Sequence, residues 1–265
     1  MGEIKKRIIS GIFLAPVIAS FFYFLSLKWF FVFLSCVAVI AIFELVIMAD
    51  LRERYLILFL TMISFIPLYQ RSLNTYILWL IFSTLIYMVI KFLKGESIRE
   101  NINRDTIKGI HTLIMCEIFI VLPLFYMYLL KEIGNTFPLI FLCAIWASDT
   151  NALFIGKTFG KNPLVPRISP KKTFEGLGGA VSGSMLIMLF TYRITRMTMV
   201  EALIIGAIIG VLAQFGDIFE SMAKRVCETK DSSSLIPGHG GLLDKFDSFI
   251  FTTPFLYHYL SGIKG

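Results

Sequence analysis

The chain has 265 residues, 57% of them apolar and only 16% charged, with a mean hydropathy of +0.78. Soluble domains carry nearer a quarter charged residues, so this composition excludes an ordinary water-soluble fold. The formal charge of +7 then reads as the lysine and arginine excess of cytoplasmic loops rather than as a nucleic-acid footprint.

A bilayer core needs about 20 consecutive apolar residues in a helix. Nine runs approach that length, over residues 8–27, 29–49, 55–70, 74–93, 109–130, 136–156, 176–192, 198–217 and 247–263. The expectation is an all-α, polytopic integral membrane protein with about nine spans and a cytoplasmic N-terminus. Residues 1–135 form an N-terminal set of about five spans, and 136–265 a catalytic region with polar cytoplasmic segments at 157–175 and 217–247. Alternating strands of the barrel type are missing from the pattern. The first run follows Lys5, Lys6 and Arg7 without a small-residue cleavage site, and reads as a retained helix. Cys36, Cys116, Cys143 and Cys227 are scattered and include no C-x-x-C pair, which speaks against a zinc knuckle or disulfide framework.

With the N-terminus inside, the opposite side holds only Lys28, Arg71, Lys131, Arg193, Arg196 and Lys264 of the 25 lysines and arginines. That is the expected bias. It explains the charges of 52–54 and 91–108 as topology alone. It does not explain the histidine, the repeated aspartates and the glycines of the last two polar segments.

The eighth run leaves the apolar layer as AQFGDIFESMAKRVCE. Asp217, Glu220, Ser221, Lys224 and Glu228 fall at helical steps and share one face. The bland reading is an intrahelical ion-pair ladder, Glu220 with Lys224. The sharper one is a pair of functional carboxylates, since an aspartate deep in a bilayer costs about 2.5–3.5 kcal/mol on insertion scales. Farther on, GHGGLLDKFD sets Asp244 and Asp247 three residues apart beside a Gly-His-Gly-Gly turn whose free N–H groups suit an anion. Helix N-terminal electrostatics would account for one aspartate, not both. Lys230 and Asp231 add a cation and an oxygen donor.

Upstream, Asp149 lies inside the sixth run, followed by Lys157, Lys161, Arg167, Lys171 and Lys172 in GKTFGKNPLVPRISPKKTFEG. SPKKT resembles an anion clamp at a helix start. GKTFGKN falls short of a phosphate loop: its glycines are one residue too close, and the Ser or Thr after the lysine is missing. Neither a G-x-S-x-G elbow nor an H-E-x-x-H zinc helix occurs. Gly176, Gly179, Gly183, Gly206 and Gly210 read as close helix contacts. Carboxylates, lysines and a glycine turn together point to phosphate chemistry with a divalent metal, because magnesium takes one or two carboxylates plus substrate phosphates.

SMAKRVCETKDSSSLIPGHGGLLDKFD, residues 221–247, resembles the signature of the phosphatidate cytidylyltransferases, also called CDP-diacylglycerol synthases. SPKKTFEG and QFGDIFES extend the similarity from about Asp149 to the end. Two positions depart. Ala223 replaces a larger apolar residue, and Lys245 replaces an arginine, a point charge where the family has a planar fork. The resemblance implies a Mg²⁺-dependent enzyme of the cell (inner) membrane that joins CTP and phosphatidate into CDP-diacylglycerol, releasing pyrophosphate at the cytoplasmic face. Its partners would be those two substrates and the bilayer, with no nucleic acid and with a homodimer left open. On that reading Asp217, Asp244 and Asp247 hold the metal, with Asp149 or Asp231 contributing. Lys171, Lys172, Lys224, Arg225 and Lys230 bind phosphates, while Ser169, Thr173 and Ser221 line the substrate. His239, Gly240 and Gly241 shape the turn under the leaving pyrophosphate.

Two rivals remain at this stage. One is a CTP-dependent kinase of a lipid alcohol. The other is a transporter of a phosphorylated solute, with Glu44, Glu117 and Asp149 along its path. Glu44 and Glu117 have no assigned role.

Overall fold

A computed structural model describes residues 14–94, 100–227, 229, 233 and 241–264. The chain is a membrane protein whose described residues are helical apart from one two-stranded hairpin. Its elements are α1 (Leu14–Phe24), α2 (Leu27–Met48), α3 (Arg54–Ile63), α4 (Phe65–Tyr69), α5 (Leu73–Leu93), α6 (Glu100–Cys116), a π-helical turn (Glu117–Val121) and α7 (Leu122–Ile133). There follow α8 (Phe137–Phe159), β1 (Pro163–Val165), β2 (Ser169–Thr173), α9 (Phe174–Thr195), α10 (Met199–Val226), a 3₁₀ turn (Leu243–Lys245) and α11 (Phe249–Lys264).

Six of the described helical stretches are long and apolar enough to cross a bilayer; α1 and the broken α3–α4 pair are apolar but shorter. Length and composition therefore support six spans among the described residues, not the expected nine. Large apolar side chains such as Trp29, Phe82, Phe154 and Phe190 point outward, an arrangement suited to lipid rather than water.

Glycines set the spacing of the C-terminal helices. A Cβ at Gly183 would stand 2.4 Å from the Ala147 carbonyl oxygen of α8, and one at Gly206 would stand 2.6 Å from Met185 Cα of α9. Both contacts are with backbone, so α8, α9 and α10 touch main chain to main chain, as small residues allow in membranes. Gly176, Gly179 and Gly210 make similar close approaches. Ser184 adds an interhelical hydrogen bond from its hydroxyl to the Gly206 carbonyl at 2.7 Å. At the start of α10 a reciprocal cap joins Thr198 and Glu201.

The N-terminal helices carry buried charge that is locally matched. Lys91 of α5 pairs with Glu53 at 2.8 Å. Lys131 of α7 donates to the Phe22 and Tyr23 carbonyls at the end of α1, at 2.6 and 3.1 Å, and lies over the Phe30 ring. A cation there complements the negative end of the helix. The π-helical turn ends two residues before Pro123, which has no N–H to continue the ladder. It presents Phe119, which stacks on Phe219 of α10 at 4.3 Å.

Candidate active site

Chain direction gathers the polar residues at one end of the bundle. Helices α8 and α10 finish there, α9 and α11 begin there, and the β-hairpin and 3₁₀ turn connect them. SPKKT, expected as a helix-entrance segment, forms β2, antiparallel to β1 with Val165 opposite Ser169 and Pro163 opposite Thr173. Thr173 ends the strand and caps α9, its hydroxyl accepting from the Gly176 N–H at 3.1 Å. The strand alternation exposes Lys171 and turns Lys172 inward, where its Nζ meets Asp217 Oδ2 at 2.7 Å.

Asp217 and Glu220 lie one helical turn apart near the end of α10. Gly216, which the sequence reading did not single out, lets that turn press on the chain before α11. A Cβ there would sit 2.2 Å from the Asp247 carbonyl oxygen. The consequence is a cluster. Asp217, Glu220 and Asp247 each offer one carboxylate oxygen, and these three atoms lie within 4.8 Å of one another. Ser221 reaches Asp217 at 3.5 Å, and Ser248 donates to Asp247 through its N–H at 2.6 Å.

Asp244 is placed differently from the sequence expectation. It does not join that trio. Its Oδ1 takes Lys224 Nζ at 2.8 Å, its Oδ2 takes the Gly241 N–H at 2.8 Å, and Lys224 also meets Glu220 at 2.5 Å. Glu220 thus stands where the expected ligand set had Asp244. The Glu220–Lys224 ladder considered from sequence does form, within the site rather than on a solvated face. Asp149 is within electrostatic reach of Asp217, Asp247, Lys172 and Lys245. Arg225 leans towards the hairpin, contacting the Ile168 and Thr229 carbonyls. Lys230, Asp231, His239 and Gly240 lie outside the described residues.

The electrostatics suit a cation. Asp149, Asp217, Glu220, Asp244 and Asp247 surround Lys172, Lys224 and Lys245, which leaves two more acids than lysines. Burial pushes the Asp247 carboxyl well above the usual carboxylate range, reinforced by the charges of Asp217 and Asp149. Burial also works to raise Asp244, but hydrogen bonding to Glu220, Lys224 and the Gly241 N–H outweighs it, and the net shift is downward. Hard oxygen donors on three sides fit Mg²⁺, whose opposed ligands stand about 4.2 Å apart at bond lengths of about 2.1 Å. Any three octahedral ligands include at least two neighbouring pairs about 3 Å apart, so the trio would draw together on binding.

The sequence of this whole arrangement matches the profile of the cytidylyltransferase family over residues 5–263. The chain belongs to the cytidylyltransferase family. Among its relatives in that family, one from Bacillus subtilis is 29% identical over 98% of this chain and 99% of its own length. One from Rickettsia typhi is 37% identical over 68% of this chain and 82% of its own, and one from Aquifex aeolicus is 41% identical over 51% of each. All three carry the name phosphatidate cytidylyltransferase.

In this cytidylyltransferase the two carboxylates without a role from sequence acquire partners. Glu44 of α2 accepts the Leu242 and Leu243 N–H groups at 3.0 and 2.8 Å. Glu117 accepts from Ser64, and its backbone carbonyl accepts from Tyr76 OH at 3.0 Å. A transport path through both would have to break these contacts, which removes the motive for the transporter reading. No local pattern could have found them: the partners of Glu44 lie about two hundred positions away.

Proposed function

We propose that this protein joins CTP and phosphatidate at the cytoplasmic face of the cell membrane, giving CDP-diacylglycerol and pyrophosphate with the help of Mg²⁺. The observation that carries this reading is the convergence of Asp217, Glu220 and Asp247 beside Lys172 and Lys224, inside a chain of this family. Facing the cytoplasm is supported by the lysines and arginines, which favour the end of the bundle where the cluster lies.

A phosphate oxygen of phosphatidate attacks the α-phosphorus of CTP. The new P–O bond forms as the bond between the α-phosphorus and the bridging oxygen breaks, and the electron pair leaves with pyrophosphate. The attacking oxygen is already ionised, so the step needs little base catalysis. The barrier is repulsion between two anions, which preorganised positive charge lowers. Asp217, Glu220 and Asp247 would hold Mg²⁺, with Asp149 behind them. Bound there, the ion would supply charge neutralisation for the meeting of the two anions.

The remaining residues orient and bind. Asp244 fixes Lys224 by accepting its ammonium while the Gly241 N–H fixes Asp244. Lys172 is held by Asp217 at the inner edge of the hairpin, with Lys171 on the outer side. Both lysines would meet CTP or lipid phosphate oxygens, with Arg225 reaching the Ile168 carbonyl of the same hairpin. Ser169, Thr173 and Ser221 line the same end, where Thr173 keeps the start of α9 in register.

The test is product identity. Purified protein with CTP, phosphatidate and Mg²⁺ should release pyrophosphate and CDP-diacylglycerol in equal amounts. Release of CDP with phosphorylation of a lipid alcohol would establish the rival kinase chemistry and refute this reading.

A further inference from the structure

Glu44 is a carboxylate in the apolar helix α2, 4% exposed. Its Oε1 accepts from the Leu242 N–H at 3.0 Å and from the Ser233 hydroxyl at 2.5 Å, and its Oε2 accepts from the Leu243 N–H at 2.8 Å. Leu242 and Leu243 open the 3₁₀ turn over Leu243–Lys245, which carries Asp244 and leads directly to Asp247. A carboxylate bound through both oxygens to consecutive N–H groups fixes the height and the rotation of that turn. The opposite side of the turn is fixed by Gly216 against the Asp247 carbonyl.

We infer that Glu44 is a positioning residue for the transfer site: by clamping the Leu242 and Leu243 N–H groups it holds Asp247 against Asp217 and Glu220, and Asp244 against Lys224. The inference rests on the proposed function for its catalytic consequence, and on geometry alone for the cation site. It also gives the N-terminal helices a part in the chemistry. Groups that orient metal ligands from behind commonly control affinity or activity by about 10–100-fold.

Glu44→Gln leaves one acceptor oxygen and turns an amide N–H₂ towards a donor. Glu44→Asp keeps both oxygens but shortens the reach by one methylene. The test uses the full chain in detergent, with wild type in parallel. Mn²⁺ binding is read from loss of the free-ion electron paramagnetic signal, alongside kcat, the KM for CTP and the thermal midpoint. Glu44→Gln should weaken Mn²⁺ binding and lower kcat by about tenfold or more. It should raise the KM for CTP through the loosened Asp244–Lys224 pair and leave the thermal midpoint near wild type, and Glu44→Asp should recover part of each loss. Wild-type Mn²⁺ affinity in Glu44→Gln overturns the inference. So does a loss that follows the thermal midpoint with no recovery in Glu44→Asp, or a wild type that binds no Mn²⁺. A wild type that binds Mn²⁺ yet forms no CDP-diacylglycerol refutes the proposed function instead, and the Mn²⁺ comparison still decides the role of Glu44.

Discussion

Gly216→Ala perturbs the junction on which the cluster depends. The added Cβ would lie 2.2 Å from the Asp247 carbonyl oxygen, 3.0 Å from its carbon and 3.3 Å from Ser248 Cα. These are backbone atoms and no rotamer change relieves them. Reaching ordinary contact takes about 1 Å of retreat, applied one residue from Asp217 and at Asp247 itself. The carboxylate trio, now within 4.8 Å, would open further from the spans of about 3–4.2 Å that ligands of one Mg²⁺ take. Overpacking costs about 1–3 kcal/mol, offset in part by about 1 kcal/mol from the better helix preference of alanine, so the variant should still fold. A misplacement of that size is expected to lower turnover by about 100-fold and to raise the half-saturating Mg²⁺ concentration. Pyrophosphate release across an Mg²⁺ titration measures both. Gly178→Ala, with nothing within 4 Å of its new Cβ, is the control and should behave as wild type. Gly216→Ala with wild-type turnover and an unchanged Mg²⁺ midpoint would refute the reasoning.

Other outcomes separate the carboxylates by role. Asp247→Asn should abolish turnover and weaken Mn²⁺ binding by about 10-fold or more, while the protein stays monodisperse in detergent; calorimetric titration with Mn²⁺ reads this. Asp244→Asn should loosen Lys224 and raise the KM for CTP by about tenfold, the scale of one charge-assisted contact, yet leave the Mg²⁺ midpoint nearly unchanged in a steady-state assay. The raised Asp247 carboxyl has a stability consequence. Its folded form binds the proton more tightly than the unfolded chain, so its contribution is complete below the unfolded value of about 3.9 and is lost as pH rises towards the folded one. Metal-free protein in chelator should therefore show a falling thermal midpoint as pH rises above 4. Added Mg²⁺ should restore more stability at pH 8 than at pH 6, because its ligands must first lose their protons.

Much of this architecture is legible in the chain because the bilayer imposes simple lengths. The runs from 29–49 to 198–217 correspond to helices α2 to α10, and the glycines read as helix contacts do bring α8, α9 and α10 together. The segments too short for that rule left the number of spans open: α1, and α3–α4 broken at Ser64. The polar end was visible from residue types, since Asp217, Lys224, Asp244 and Asp247 have no reason to accumulate at a lipid boundary. What spacing could not give was the pairing among them. Asp244 and Glu220 sit at equivalent helical offsets from Asp247 and Asp217, and only the fold shows Glu220 joining Asp217 and Asp247 while Asp244 pairs with Lys224. The β-hairpin escaped because Pro163–Val165 and Ser169–Thr173 lack an apolar alternation. Glu44 and Gly216 escaped because their meaning lies in contacts with 241–248, which no local periodicity encodes.

The account stands on a divalent cation seated by acids from α10 and from the turn before α11. Crystals grown with Mn²⁺ and a non-hydrolysable CTP analogue would test this most directly through the anomalous signal of the metal. The account predicts a peak bonded to carboxylate oxygens of Asp217 and Asp247, with Glu220 adjacent and phosphate oxygens completing the shell. A peak seated elsewhere, or a nucleotide bound at the opposite end of the helices, would contradict it.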